Sequence, residues 1–266
     1  MNPDSTDQPA IEFDRASFRL GDRPLLQDLA LSVKHGETLV LLGRSGSGKT
    51  TTLKMINRLL SPTAGEVRVN GRSTTAWDPI QLRRGIGYVI QDGGLFPHFT
   101  VARNIGLVPT IENWPPARVQ ARVSELLTLV GLNNDLASRY PGELSGGQRQ
   151  RVGVARALAA DPPILILDEA FGALDPITRS EMQKEFRGLQ RRMRKTVVFV
   201  THDLREALLL ADRIALLEQG RLIVDLSAKE FPRSEHPLVR AYLEAFSGLP
   251  DSRLPDATLP DSGGTA

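Results

Sequence analysis

Thr38-Leu39-Val40-Leu41-Leu42-Gly43-Arg44-Ser45-Gly46-Ser47-Gly48-Lys49-Thr50-Thr51 runs from an apolar segment through a glycine-rich turn into a helical pattern. Residues 38–42 read as a buried parallel strand. Glycines 43, 46 and 48 let the backbone curl so that successive N–H groups point into one concavity. From Lys49 the spacing of Leu53, Ile56, Leu59 and Leu60 is helical. The turn therefore sits on a helix N-terminus, where free N–H groups and the helix dipole favour anions. This is the pattern of a phosphate-binding loop. Lys49 is placed to reach the β- and γ-phosphates of a nucleoside triphosphate, the Thr50 hydroxyl to ligate Mg²⁺, and Thr51 to meet the α-phosphate. The bland alternative is a glycine-rich turn with a solvated lysine. The complete pattern from Gly43 to Thr50, in strand–loop–helix context, weighs against it.

A second apolar run, Ile164-Leu165-Ile166-Leu167, leads into Asp168-Glu169. Ligands bind at the carboxyl ends of parallel strands. One carboxylate there can hold Mg²⁺ through water while its neighbour deprotonates an attacking water. Asp168 is assigned to the metal and Glu169 to the base; on their own, two acids at a strand end could equally be caps or solvated. A third run, Thr196-Val197-Val198-Phe199-Val200, ends at Thr201-His202-Asp203, which places His202 beside the same crevice near the γ-phosphate. Asp203 has a structural reading: with Glu206 it makes a capping box for a helix over 204–210.

The composition, 266 residues with 41% hydrophobic and 24% charged, is ordinary for a globular chain. A net charge of +2 implies no general attraction to nucleic acid or membranes. Cysteine is absent, which excludes disulfides and thiol or thiolate-metal chemistry; a cytosolic compartment fits. The polar segment 1–10 has no apolar core of a signal peptide, and no apolar run is long enough to span a bilayer. A membrane role therefore requires another chain to supply the channel.

Residues 11–33 alternate around Gly21-Asp22-Arg23-Pro24 as a β-hairpin, and Glu66-Val67-Arg68-Val69-Asn70-Gly71 adds a strand and turn. Core strands are expected at 38–42, 86–90, 164–167, 196–200 and 213–217, alternating with helices in an α/β sheet. The long stretch between residues 90 and 164 is helical in pattern at 116–130 and 147–160. It reads as an inserted helical subdomain, about 92–160. Asp175-Pro176 opens a helix over 176–192 as N-cap and first turn. The cations Arg191-Arg192-Met193-Arg194-Lys195 that end it suit a helix C-terminus rather than a nucleic-acid patch. Segment 1–10 and the Leu-Pro-Asp repeats in 247–266 are expected to be disordered, leaving one domain over 11–246.

Leu144-Ser145-Gly146-Gly147-Gln148 is a second glycine-rich turn. Ser145 and Gln148 fit a capping box. A helix N-terminus with two bare glycines can also grip a phosphate. The phosphate loop, Tyr88-Val89-Ile90-Gln91, this second turn, the 164–169 run, Gly172-Ala173-Leu174-Asp175 and His202 occur in the order found in ABC transporter ATP-binding subunits, and over 11–246 the chain resembles that family. The resemblance implies a P-loop NTPase core of RecA-like fold, with an N-terminal antiparallel β-subdomain and the helical insertion. It implies ATP and Mg²⁺ as cofactors. Gln91 would contact Mg²⁺ and the water, Ser145, Gly146, Gly147 and Gln148 would bind the γ-phosphate across a homodimer, Asp175 would line the dimer interface, and His202 would hold the γ-phosphate. The implied partners are a second copy, two membrane permease subunits engaged near 91–99, and indirectly an extracytoplasmic solute-binding protein. The implied location is the cytoplasmic face of the bacterial inner membrane, with no nucleic acid involved.

Met55-Ile56-Asn57-Arg58-Leu59, Leu82-Arg83-Arg84, Gly94-Leu95-Phe96-Pro97-His98 and Phe171-Gly172-Ala173-Leu174-Asp175-Pro176-Ile177-Thr178-Arg179 resemble the ATPases of glycine betaine, carnitine and choline importers, which take up osmoprotectants. The chain departs from the family pattern in three places. Ala170 stands where proline usually follows the catalytic glutamate. Leu20 stands where an aromatic usually stacks on adenine, with Phe18 on the same face by strand alternation. The C-terminal pair of regulatory domains carried by many relatives is not expected in the 20 residues after Phe246 (266 − 246). Competing readings are an importer for an amino acid or a sulfonate, a soluble ABC ATPase acting in DNA repair or translation, and a nucleotide kinase. The last would not need residues 144–148.

Overall fold

Burial alternates along β1 (Ile11–Leu20), with Ile11, Phe13, Ala16 and Phe18 turned inward. The strand folds back at Gly21 into β2 (Arg23–Val33), then β3 (Thr38–Leu42), buried along its whole length, leads into α1 (Lys49–Ile56). The chain continues through β4 (Ala64–Val69), β5 (Arg72–Ser73), α2 (Pro79–Arg84) and β6 (Ile86–Val89). Three helices follow, α3 (Val101–Ile105), α4 (Leu107–Ile111) and α5 (Pro116–Leu129), and after two short 3-10 turns comes α6 (Gly146–Leu158). β7 (Ile164–Asp168), α7 (Pro176–Met193), β8 (Thr196–Thr201), α8 (Leu204–Leu210), β9 (Arg213–Glu218), β10 (Arg221–Ser227) and α9 (Pro237–Ser247) complete it. This computed structural model describes residues 8–172 and 174–247, apart from the side chains of Gln91, Asp92 and Ser247. The readings made above for 1–7, Ala173, the Gln91 side chain and the Leu-Pro-Asp tail lie outside these described residues.

Two sheets result. One is four-stranded in the order β2-β1-β4-β5, with antiparallel pairing throughout. The other has the order β10-β9-β3-β8-β7-β6. Its strands β9, β3, β8, β7 and β6 pair in parallel, and β10 joins antiparallel at the edge. The mixed sheet buries side chains on both faces. Leu39, Leu41, Ile166 and Val198 face the antiparallel sheet and α1, while Val40, Leu42, Leu167 and Phe199 face α6, α7 and α8. Continuous apolar strands of this kind are what a doubly covered sheet requires. Arg213 ties the layers together at one edge, donating to Glu37 and Asp225 and, through Nη2, to Ser32 O at 3.0 Å.

The expected strands are present, with β6 ending at Val89 rather than residue 90. The helix that starts at Lys49 is shorter than its apolar spacing suggests. It stops at Ile56 because Arg58 takes a left-handed φ of 53° and the N–H groups of Leu59 and Leu60 turn back to Lys54 O. The cap of α8 also differs from expectation. Asp203 accepts from Arg205 N at 2.7 Å, but Glu206 does not reach back to it. Glu206 is buried and receives hydrogen bonds from Gln183 Nε2 and the Thr201 hydroxyl. Its burial is driven by the packing of α8 on α7 and β8, and the Asp203 N–H turns instead to Thr201 Oγ1 at 3.0 Å.

Candidate nucleotide site

The glycine-rich loop leaves β3 in the middle of the mixed sheet and is backed on the far side by the β9–β10 turn. Gly220 N donates to Ser47 O at 3.1 Å, and Gly220 O accepts from Gln27 N at 2.7 Å. Gly48, the N-cap of α1, has φ 104°, and a Cβ there would lie 2.9 Å from Leu25 O. Only glycine suits both the backbone angle and that approach. Arg44, Ser45 and Gly46 are exposed, whereas Lys49 is only 5% exposed. Lys49 Nζ donates to Gly43 O and Arg44 O, each at 2.8 Å. Burial pulls its pKa down, while Glu169, Asp168 and Glu218 act to hold the charge. The ammonium is thus tied only to loop carbonyls, within the field of three carboxylates.

Thr50 Oγ1 donates to Asp168 Oδ1 at 3.1 Å, so the two candidate metal ligands meet at the start of α1 and the end of β7. Burial raises the Asp168 pKa, opposed by hydrogen bonds from Thr50 and from Tyr88, whose hydroxyl lies 3.4 Å from Oδ2. Burial likewise pushes the Tyr88 phenol up. A hydroxyl and a carboxylate are hard oxygen donors of the kind Mg²⁺ takes, with water and phosphate oxygens completing the octahedron. Among the described residues no group of three or more His, Cys, Asp or Glu side chains forms a metal cluster.

Glu169 follows Asp168 in a left-handed conformation, φ 46°, uncommon for a non-glycine residue. The turn is held from both sides: Glu169 N donates to Val200 O, and Gly172 N donates to Glu169 O, each at 3.0 Å. Ala170 is buried beneath it. This backbone aims the carboxylate across to the end of β8, where His202 Nδ1 lies 3.4 Å from Glu169 Oε2. Arg44, Ser45, Glu169 and His202 line one cavity of about 500 Å³.

The second glycine turn is built as its sequence predicts. Ser145 N donates to Gln148 Oε1 at 2.9 Å, and Gln148 N donates to Ser145 Oγ at 3.2 Å. Gly147 packs so tightly on the first turn of α7 that a Cβ would lie 2.6 Å from Thr178 Cγ2. Asp175 caps that turn, accepting from Ile177 N and Thr178 N. Ser145, Gly146, Gly147, Gln148 and Asp175 thus share one surface, and among the described residues no hydrogen bond joins any of them to the phosphate loop. Leu20, at the tip of the first hairpin, is 67% exposed. Phe18 does not share its face, contrary to simple alternation. The pairing is irregular between Phe18 and Arg19, and Phe18 packs in the core of the antiparallel sheet, which removes it as a candidate for the base.

Two positions that shape this region escape a sequence reading. Asn104, fully buried on α3, accepts from Phe96 N and donates to Phe96 O, Phe99 O and Thr100 O, fixing the loop after the Gln91–Gly94 turn. Arg156 on α6 donates to Gly94 O at 2.8 Å and Gly93 O at 2.9 Å, and its pKa is lowered by burial. It joins the helix of the second glycine turn to that same loop. A lone Asn and one Arg among many carry no local pattern that would mark them.

A model of the ABC transporter family matches residues 26–172. The glycine betaine/carnitine/choline transport ATP-binding protein OpuCA of Bacillus subtilis (strain 168) is 52% identical over 76% of this chain, which spans 53% of that protein's length. The glycine betaine uptake system ATP-binding protein YehX of Escherichia coli (strain K12) is 50% identical, over 80% of this chain and 69% of its own. Among solved structures, a dimeric ATP-binding cassette in a post-hydrolysis state bound to ADP and Pi superposes with a TM-score of 0.74 at 32% identity, covering 82% of this chain and 98% of that one. A phosphate loop on a mixed sheet, an acid pair opposite a histidine, a capped glycine turn on the helical insertion, and these likenesses converge: the chain belongs to the ABC transporter family.

Proposed function

We propose that this chain is the ATP-hydrolysing subunit of an ABC importer for an osmoprotectant such as glycine betaine, carnitine, choline or proline. The observation that carries the reading is the convergence at the phosphate loop: Thr50 with Asp168 on one side, Glu169 with His202 on the other. In this reading residues 43–51 wrap the triphosphate, and Lys49 exchanges its loop carbonyls for phosphate oxygens. Thr50 and Asp168, with Gln91, hold Mg²⁺, which when bound neutralises phosphate charge. Glu169 takes the proton of the attacking water, and His202 steadies the γ-phosphate. Ser145, Gly146, Gly147 and Gln148 face outward and, with Asp175, meet the nucleotide of a second copy. The dimeric state of the solved cassette supports that arrangement. Leu20 at the hairpin tip meets the adenine.

No helix among the described residues is long and apolar enough to cross a membrane; in this reading the transport path belongs to other chains. A cleft of about 830 Å³ between α3, α4 and α5, lined by Arg103, Gly106, Trp114, Val119 and Val123, lies beside the loop fixed by Asn104. We place a cytoplasmic helix of each of two permease subunits there, with a solute-binding protein on the far side of the membrane and this chain on its cytoplasmic face. The test has two arms. Glu169→Gln retains ATP binding but loses about 10²–10⁴ in turnover, since an amide cannot accept the proton. Membrane vesicles in which this chain is reconstituted with an osmoprotectant permease accumulate labelled glycine betaine only with the wild type. Near-normal hydrolysis by the variant contradicts the role of Glu169, and uptake of an unrelated solute alone contradicts the substrate.

A further inference from the structure

The C-terminal helix reaches the catalytic pocket. α9 packs on α8, where Arg205 stacks over the Phe246 ring at 5.0 Å, and its Val239 is fully buried. This docking turns Ala241, Tyr242 and Ala245 into the same cavity of about 500 Å³ that Arg44, Ser45, Glu169 and His202 line. There the Tyr242 hydroxyl is enclosed, and so is Glu218 Oε2 at the end of β9; neither completes a hydrogen bond of normal geometry. Burial and the Glu218 charge push the phenol pKa up, and Arg44 holds it down, so Tyr242 lies in the field of both. A buried phenol and carboxylate oxygen left without partners cost free energy, and the Arg44 guanidinium, which lines the cavity with Tyr242, can donate five hydrogen bonds.

We propose that Tyr242 is a positioning residue for the phosphate loop, acting through Arg44, which it and Glu218 anchor from the C-terminal helix. The inference rests on the ATP-site reading above. Lys49 now ties the Gly43 and Arg44 carbonyls together. When its ammonium turns to phosphate oxygens, those carbonyls lose their donor. The Arg44 side chain, clamped outside the loop, then keeps the Gly43–Arg44 segment in its binding shape. α9 thereby couples the chain's C-terminal side to nucleotide affinity.

The test is a double-mutant cycle of Tyr242→Phe and Arg44→Ala, read as the Kd for a fluorescent non-hydrolysable ATP analogue in the full chain. The wild-type titration reads the ATP-site proposal by itself; the cycle reads the Tyr242 proposal. Tyr242→Phe keeps the ring and removes only the hydroxyl, so the melting temperature without nucleotide stays near the wild-type value. Its Kd rises about threefold or more, and the double variant binds no worse than Arg44→Ala, the non-additivity expected of groups acting as a unit. Glu218→Gln shows the same dependence on Arg44. Effects of Tyr242→Phe and Arg44→Ala that multiply, or a Tyr242→Phe variant that binds as tightly as wild type, overturn the proposal.

Discussion

Glu206 shows how far a single residue's neighbours can be from what its spacing implies. Asp203 and Glu206 have the spacing of a capping box, yet Glu206 is 3% exposed and bonded to Gln183 and Thr201. Burial raises its pKa. For a carboxyl so raised, the folded state holds its proton more tightly than the unfolded chain does. The contribution of Glu206 to stability is therefore greatest below the ordinary carboxylate range and falls as pH rises through the raised value. Glu206→Gln keeps an acceptor for Gln183, can donate to Thr201 and carries no charge. We expect it to stabilise the protein by on the order of 1 kcal/mol at pH 8 and to have little effect at pH 4. Urea denaturation at both pH values checks this; an equal effect at both would show that the charge is not the cause. Leu20 is the opposite case, legible as an oddity from the sequence and left exposed by the fold. With Phe18 committed to the core, no aromatic from this part of the strand is free to stack on the base. We expect Leu20→Tyr to tighten ATP binding, toward the about 1–3 kcal/mol that aromatic stacking on a base contributes, and the wild type to accept GTP comparatively well. Competition of the two nucleotides for a fluorescent analogue measures both, and strong wild-type preference for ATP with no gain in the variant refutes it.

Elements with strong periodicity or explicit caps were legible: β3, β7 and β8 as apolar runs, α6 and α7 from Ser145 and Asp175 at their N-termini. Others needed tertiary context. α1 ends where Arg58 reverses, though its apolar spacing continues to Leu60. β10 alternates only weakly, and its partners on β9 are what make it a strand. α2 and α9 begin with proline at the first turn, a real signal, but α2 is six residues long and α9 is one short amphipathic stretch that packing on α8 makes helical. The α6 N-terminus carries a prediction of its own. Ser145 and Gly146 are exposed, and their capping box is complete within the chain. Ser145→Arg removes the cap hydroxyl, a loss of about 0.5–2 kcal/mol, and leaves the monomer able to bind ATP, since among the described residues no hydrogen bond joins Ser145 to the phosphate loop. It abolishes ATP-driven pairing, because a long cation replaces the hydroxyl proposed to meet the second copy's γ-phosphate. Circular dichroism and nucleotide titration should match wild type while sedimentation with ATP shows a monomer. A persisting dimer rejects the trans role.

For the molecule as a whole, alternating strands and helices made the α/β architecture readable, because a doubly covered parallel sheet writes itself as apolar runs at regular intervals. The way the parts are joined was not readable. Arg213 spans two sheets, Arg156 ties the helical insertion to the Gln91–Gly94 turn, and Tyr242 of α9 lines one cavity with Arg44 and Ser45. Each is a long-range contact by one polar side chain with no local pattern. In the proposed mechanism ATP is clamped between two copies, each supplying residues 145–148 to the other's phosphate loop. The most direct measurement is the mass of Glu169→Gln by size-exclusion chromatography with light scattering, with and without Mg-ATP. The account predicts 29.2 kDa without nucleotide and twice that mass with it; a mass of 29.2 kDa under both conditions, with ATP shown to be bound, would contradict it.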